Sequence, residues 1–143
     1  MNRSPICQEK NKNQYLCKIA AKNLTDWYRN NLPKIQRGKD TQKRFETFNP
    51  HILHPIVVNR KFYDEIISKH KNDLLYFTKL EIAKQAHELI EKAIFARVEK
   101  SIHHPKAEFL VFKCDYQEFD IEFKVKKNSD GYFLHYMRIT VKK

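Results

Sequence analysis

Side chains that can move a proton or bind a phosphate recur along the last third of this chain. Lys113, Lys124, His135, Arg138 and Thr140 lie in three segments in which apolar and polar residues alternate. An imidazole can take the proton of a ribose 2′-hydroxyl, and cations can stabilise the phosphate in the transition state. These residue types favour ribonuclease chemistry. An ordinary solvated sheet face carries the same residue types, so both interpretations stay open.

Further candidates lie where predicted helices end. Lys69 and His70 close one helical segment, a place where basic side chains also complement the helix dipole. His103 and His104 follow another helical segment, in a connection of the kind that often carries reactive groups. Surface loops contain histidines without function as well. The catalytic candidates are therefore His70, His135, Arg138, Thr140 and Lys69.

The elements that must position the C-terminal candidates are β-strands. The segments 108–116, 118–126 and 132–142 alternate apolar and polar residues, as strands with one buried face do. The tetrapeptide Asn-Ser-Asp-Gly at 128–131 predicts a hairpin turn, because its glycine can adopt a positive φ. We therefore expect a C-terminal antiparallel meander.

Regular alternation along the last strand separates the candidates. It places His135 with Phe133 and Met137 on an apolar face, and Arg138 and Thr140 on the opposite face. All of the candidates can line one cleft only if a β-bulge shifts the register of the strand. Otherwise His135 works without Arg138 and Thr140, or these two work with the helical Lys69 or His70.

Three helices are predicted upstream of the meander. Asn59 is a suitable N-cap for the second helix, and Thr78 with Glu81 forms a capping-box pattern for the third. Apolar residues at three- and four-residue spacings give the predicted helical ranges 15–31, 60–70 and 78–100.

The order of these elements predicts an α+β fold, with three helices packed on one face of a small antiparallel sheet of about four strands. The apolar run 56–58 supplies a further strand or strand entry. The segment 34–50 has many charges and no period, so it is expected to be a mobile cationic connection. We expect a loosely ordered tail over 1–14 and a single domain over 15–143.

The chain carries a formal net charge of +11. Residues 1–48 hold eleven Lys or Arg against four Asp or Glu, so the excess is concentrated there. A basic surface attracts polyanions by releasing their counterions, and nucleic acid is the commonest such partner. The nucleic-acid-binding candidates are Lys34, Arg37, Lys39, Lys43, Arg44, His103, His104, Lys113 and Lys124.

Several other classes of site lack a motif in this sequence. Two glycines are too few for a phosphate-binding loop, and the three cysteines show no zinc-ligand spacing. We therefore expect no metal and no cofactor. Free thiols, and the lack of an apolar signal segment or an apolar run of membrane length, favour a cytoplasmic protein without a membrane partner.

Beyond these patterns, the chain resembles the phage-associated branch of the barnase–EndoU–colicin–RelE-like nuclease superfamily over roughly residues 18–141. The resemblance lies in AAKNLTDWYRNNL (20–32), IVVNRKFYDEIISKH (56–70), LEIAKQAHELIEKAIFARVEK (80–100) and the strands FLVFKC, FDIEFKV and YFLHYMRI. It implies helices on a four-stranded antiparallel sheet and metal-free RNA cleavage that leaves a 2′,3′-cyclic phosphate. Its helical contribution corresponds to His70 or Lys69, and its sheet contribution to Arg138, Thr140, His135 and Lys124.

Two functions follow as hypotheses. The first is a toxin-like or phage-associated endoribonuclease that acts on RNA and has an acidic immunity or regulatory protein as a second partner. The second is a non-catalytic module of a phage or mobile element that binds nucleic acid or protein. The second hypothesis expects salt-sensitive binding that depends on the cations of 34–44 and on no histidine.

Overall fold

The computed structural model describes residues 14–70, 74–100, 103 and 107–142. Within these ranges the chain forms four helices and seven strands. In chain order they are α1 (Gln14–Asn31), β1 (Lys34–Arg37), β2 (Asp40–Thr47), β3 (Ile56–Asn59), α2 (Arg60–Lys69), α3 (Tyr76–Ala83), α4 (Ala86–Lys92), β4 (Ile94–Lys100), β5 (Glu108–Tyr116), β6 (Phe119–Asn128) and β7 (Gly131–Val141).

The seven strands form one sheet in the order β1-β2-β3-β7-β6-β5-β4. Neighbouring strands run antiparallel, except that β3 and β7 are parallel. Strands β4 to β7 form the C-terminal meander, which is antiparallel as predicted. The α+β class is confirmed. The expected numbers of three helices and about four strands are too small for the described part of the chain.

One face of the sheet carries the hydrophobic core, and the helices pack against it. Phe112, Phe123 and Met137, from the three longest strands, are each fully buried there. Full burial of a side chain of this size contributes roughly 1.5–3 kcal/mol. The cluster includes side chains from every described helix and from β3, β5, β6 and β7. These strands are therefore held firmly from one side.

Helix α2 begins and ends as the sequence predicts. The side chain of Asn59 accepts a hydrogen bond from the backbone N–H of Lys61 at 3.1 Å, which caps the first turn. At the other end the backbone N–H of His70 donates to the carbonyl of Ile66 at 3.3 Å. The predicted N-cap and the helix over 60–70 are thus confirmed, with His70 as the C-cap residue.

The segment 34–50 is not the irregular connection that its charges suggested. It contains an antiparallel β-hairpin, β1–β2, in which four residue pairs face each other. Gly38 adopts a φ of 60° in the turn, a conformation that glycine accepts without strain. The hairpin was missed because its described side chains other than Thr47 are exposed or half-buried on both faces, so no apolar period marks its strands.

The predicted long helix over 78–100 is also wrong. Its place is taken by the two short helices α3 and α4 and by the edge strand β4, and Thr78 lies inside α3 and does not cap it. The backbone becomes extended at Ala93, where ψ is 148°. Ile94 and Val98 fall at helical spacing from α4, but they are 76% and 50% exposed on β4. β-branched residues at such spacing suit either element.

Of the tail predicted over 1–14, only Gln14 belongs to the described residues, and it begins α1. The expectation for 1–13 therefore lies outside the described part of the chain. No helix within the described ranges is long and apolar enough to cross a membrane.

Candidate active site

The sheet face opposite the helices, which we call the outer face, carries the polar side chains of the C-terminal meander. On β6 these are Asp120, Glu122, Lys124 and Lys126, which alternate with core residues. From the alternation of 118–126 alone, the sequence also suggested an ordinary solvated strand face for Asp120 and Glu122. That interpretation is wrong for Glu122, which is only 8% exposed. The outer face therefore contains a buried carboxylate that needs partners.

A β-bulge in β7 brings the candidate histidine to this face. Lys124 on β6 lies opposite Tyr136, but the next residue of β6 lies opposite Leu134, so His135 is an extra residue in β7. Leu134 and Met137 are both buried in the core, although regular alternation would put them on opposite faces. The predicted assignment of His135 to the core face is therefore wrong.

Glu122 is held between two arginines, one on the adjacent strand β7 and one on β4, two strands away on the other side. Arg97 of β4 donates to its Oε1 at 3.1 Å, and Arg138 of β7 donates to its Oε2 at 3.2 Å. Charge-assisted hydrogen bonds of this kind are stronger than neutral ones. The carboxylate therefore fixes both guanidinium groups above the middle of the sheet.

A second acidic residue orders the other cations of the outer face. Glu99 accepts from Arg97 at 2.8 Å and forms an ion pair with Lys124 at 3.0 Å. The bonds from Lys124 and Arg97 lower the pKa of Glu99. The ammonium group of Lys124 also lies 5.9 Å from the centre of the Tyr136 ring. Arg97, Arg138 and Lys124 are thus connected through two carboxylates.

These side chains surround a cavity of about 600 Å³. A neighbouring cavity of about 670 Å³ shares Glu122 and Arg138 with it and includes Lys113 and Thr140. His135 and Arg138 therefore line one surface, which resolves the conflict that the sequence left open. The first cavity is lined by Arg97, Glu99, Lys100, Phe109, Glu122, Lys124, His135, Tyr136 and Arg138.

His135 lines this cavity, and its side chain is half-buried. Its ring is 5.2 Å from that of Phe109. Burial lowers the pKa of His135; Glu65 opposes this shift, and Lys126 and other nearby lysines add to it. The imidazole is therefore neutral at pH 7, and a neutral imidazole can accept a proton.

His70, the helical candidate, is buried behind the outer face. Its Nδ1 lies 2.9 Å from Nζ of Lys79, which is also buried. Because a charged lysine can only donate, Nδ1 accepts, and the proton of a neutral imidazole is on Nε2. The ring centre lies 5.4 Å from that of Tyr136. His70 thus contacts a ring of the cavity, and its Nδ1 is occupied by Lys79.

Lys69 lies on the exposed side of α2. It forms an ion pair with Glu65 at 3.3 Å, and 68% of its side chain is exposed. Lys69 and Lys61 are also among the charges that lower the pKa of His135. This side of α2 therefore lies near His135.

The nucleic-acid-binding candidates are spread over several surfaces. Lys113 and Lys124 line the two cavities of the outer face. Lys43 and Arg44 line a groove beside α2, whereas Lys34 and Lys39 are exposed on the β1–β2 hairpin. His103 is exposed, and His104 and the side chain of Arg37 lie outside the described part of the structure.

The cavity residues that sequence reasoning missed include Arg97, Glu99, Glu122 and Tyr136. The first two were assigned to a helix, so their approach to β6 could not be foreseen. The only local signal for Glu122 was its place opposite Arg138 once β6 and β7 are paired across the predicted turn. Cross-strand pairing of opposite charges is a recognised source of sheet stability, but its use requires the register.

Comparison of the chain with protein-family models, with curated proteins and with solved structures finds no match. The function of the protein therefore has to be inferred from the geometry of the outer face and from the residues that line it.

Proposed function

We propose that this protein is a metal-independent endoribonuclease whose active site is the outer-face cavity around His135 and Arg138. The observation that carries the proposal is the β-bulge, because it puts a neutral imidazole on the same surface as fixed guanidinium groups. A base and a phosphate-binding group on one surface are the minimum for attack by a ribose 2′-hydroxyl.

The charges of the cavity favour an anionic substrate. Four cations line it against two carboxylates, so the site keeps a positive excess after its internal ion pairs are counted. Arg138 is 56% exposed at its side chain and Arg97 is 43% exposed, so both can reach a phosphate while Glu122 orients them. Guanidinium groups can bind phosphate oxygens in a bidentate manner.

In the proposed reaction His135 removes the proton of the 2′-hydroxyl, whose oxygen then forms a bond to the adjacent phosphorus. The bond from phosphorus to the 5′-oxygen breaks, and that oxygen takes a proton from water, while protonated His135 releases its proton to solvent. The products carry a 2′,3′-cyclic phosphate and a 5′-hydroxyl. Arg97, Arg138 and Lys124 stabilise the charge that develops on the phosphate. Glu122 positions the two arginines.

The direct test is incubation of total tRNA with the protein in EDTA, followed by analysis of the fragment ends. We expect fragments that end in 2′,3′-cyclic phosphate, and a loss of about 100-fold or more in rate for His135→Gln. His54→Gln is a matched control, because His54 is an exposed histidine in the loop before β3. Intact RNA at micromolar wild-type protein rules out the proposal.

The second candidate function is binding of nucleic acid without catalysis, and one observation supports it. Arg97, Lys124 and Arg138 are already paired with carboxylates, whereas the described cations of the β1–β2 hairpin include Lys34 and Lys39, which have no ion pair within the described residues. This function predicts salt-sensitive RNA binding that falls when both lysines are replaced by glutamine and is unchanged in His135→Gln.

A further inference from the structure

A groove beside α2 leads from the β1–β2 hairpin to His135. It has a volume of about 930 Å³ and lies between the hairpin side of the sheet and the exposed side of α2. A smaller cavity of about 200 Å³ shares Lys61, Glu65 and Phe133 with it, and this cavity includes His135. Since His135 also lines the outer-face cavity, the groove and that cavity form one continuous surface.

The groove combines cations with an exposed aromatic ring. Its cations are Lys43, Arg44, Arg60, Lys61 and Lys69, against the acids Asp64, Glu65 and Asp130. Two of these acids are bound within α2, Asp64 to Arg60 at 3.0 Å and Glu65 to Lys69 at 3.3 Å. The ammonium of Lys61 has no ion-pair partner among the described residues. Lys61 is therefore available to a phosphate, whereas Lys43, which also has no ion pair among the described residues, donates to the carbonyl of Arg29 at 3.4 Å.

Phe133 is the apolar member of the groove. It is half-buried, lies two residues before His135 on β7, and lines both the groove and the smaller cavity. Beside it, the parallel partner Val57 is buried. A rigid strand thus presents an accessible ring next to unpaired positive charge. This combination is typical of surfaces that bind single-stranded nucleic acid, where bases stack on rings and cations follow the backbone.

We propose that the groove beside α2 is a subsite for the nucleotides that flank the cleaved bond in single-stranded RNA. Phe133 stacks on a base, and Lys61 contacts a phosphate next to it. The proposal rests on the proposed ribonuclease function and adds a substrate class to it. The subsite should select unpaired bases, because a base within a duplex is already stacked on its neighbours and cannot stack on Phe133.

The test measures binding separately from cleavage. The probe is a labelled 12-nucleotide RNA in which every ribose carries a 2′-O-methyl group, so no 2′-hydroxyl can attack the chain. We expect Phe133→Leu, which keeps an apolar side chain but removes the ring, to weaken binding about 10-fold. Lys61→Gln should reduce the slope of log Kd against log salt by about 0.7, as the loss of one single-strand phosphate contact does.

Lys18→Gln is the matched control for the charge change, because Lys18 is an exposed lysine of α1 far along the chain from the groove. It should bind the probe as the wild type does. A second readout compares KM for the cleavable 12-mer with KM for a dinucleotide. Phe133→Leu should raise the first at least 10-fold more than the second, because a dinucleotide lacks the flanking base.

Three results would overturn the subsite. They are unchanged binding of the 12-mer by both Phe133→Leu and Lys61→Gln, an equal loss with Lys18→Gln, and tighter binding of a 12-base-pair duplex than of the single strand. A wild-type protein that binds the 12-mer through Phe133 but leaves cleavable RNA intact contradicts the ribonuclease function alone. The two failures are therefore distinguishable.

Discussion

The two ends of the seven-stranded sheet both carry many cations, but they use them differently. At the meander end, Arg97 and Arg138 are fixed by Glu122 above strands whose other face is packed on the core. At the hairpin end, Lys34 lies directly opposite Lys43, and both side chains are exposed. Like charges opposite each other destabilise a ladder. Only the meander end has the rigid geometry that catalysis requires.

This difference shows that net charge does not locate a site. The cationic excess of the sequence lies in the first 48 residues, whereas the cavity with a neutral imidazole and oriented guanidinium groups lies in the last third. A pre-organised site depends on side chains whose positions are fixed by packing and by neighbouring hydrogen bonds. In the meander, carboxylates hold the guanidinium groups in place, although they also reduce the net charge of this region.

The two ends of the sheet should differ most in how much their side chains contribute to stability. Phe123→Ala should lower the free energy of unfolding by about 3–5 kcal/mol, because it removes a fully buried ring below the outer face. Ile35→Ala in β1 should cost no more than about 0.5 kcal/mol, since Ile35 is only half-buried. Urea denaturation followed by circular dichroism measures both. Equal losses would mean that the hairpin is as firmly packed as the meander.

Removal of one fixed guanidinium tests whether its position matters for activity. Arg138→Gln should slow RNA cleavage about 100-fold, as does the loss of a single donor to a developing negative charge elsewhere. Arg29→Gln removes the same charge from the exposed last turn of α1 and should leave the rate within about two-fold. Initial rates on one labelled RNA give the comparison. Similar losses in both variants would indicate that total charge, and not geometry, controls the rate.

The turn of the hairpin offers a smaller and more local test. Ala at position 38 has to adopt the φ of 60° seen for Gly38, which costs roughly 1 kcal/mol, while its Cβ meets no atom within 4 Å. Gly38→Ala should therefore speed hydrogen exchange of the β1–β2 amides about five-fold. Amides of β6 should exchange as before. Faster exchange in β6 as well would show that the two ends unfold together.

The pH dependence of stability should come from two half-buried histidines, one on the outer face and one packed on β2. Burial lowers the pKa of His135 on the outer face and of His87, which stacks on Phe45 with ring centres 3.7 Å apart. Both groups favour the folded state when neutral. Their contribution is complete above pH 6.5 and is lost as the pH falls through their folded pKa values.

The urea midpoint should therefore be lower at pH 5 than at pH 7.5, and the difference should shrink in His135→Gln. His54→Gln, at an exposed position, should retain the full difference. A midpoint that rises on acidification would contradict the assignment, since it requires histidines that bind protons more tightly in the folded state.

The sequence predicted those elements that have one apolar side. Alternation located β5, β6 and β7 to within a few residues, and Asn59 marked the start of α2. In the β1–β2 hairpin only the end of β2, with Phe45 and Thr47, packs inward, so no apolar alternation marks its strands. Strand β4 was assigned to a helix because Ile94 and Val98 continue the spacing of α4, and only pairing with β5 decides between the two elements.

The site was harder to predict than the fold, for a physical reason. His135, Arg138, Thr140, Lys113 and Lys124 were identified by residue type, and the structure brings all of them to the two adjoining cavities. The burial of Glu122 depends on arginines 25 and 16 residues away in the chain. Contacts between distant strands, and an extra residue in one strand, leave no local pattern in the sequence.

The bulge divides β7 into two segments. Side chains alternate between the two sheet faces within each segment, but the alternation does not continue across the bulge. Without His135, Leu134 and Met137 would be separated by Tyr136 alone, and both would still point into the core. Deletion of a residue from a central strand ordinarily moves the side chains on one side of the deletion to the opposite face of the sheet. Deletion of His135 would instead keep the core residues of both segments on the core face. A single deletion would therefore remove the imidazole and the bulge together.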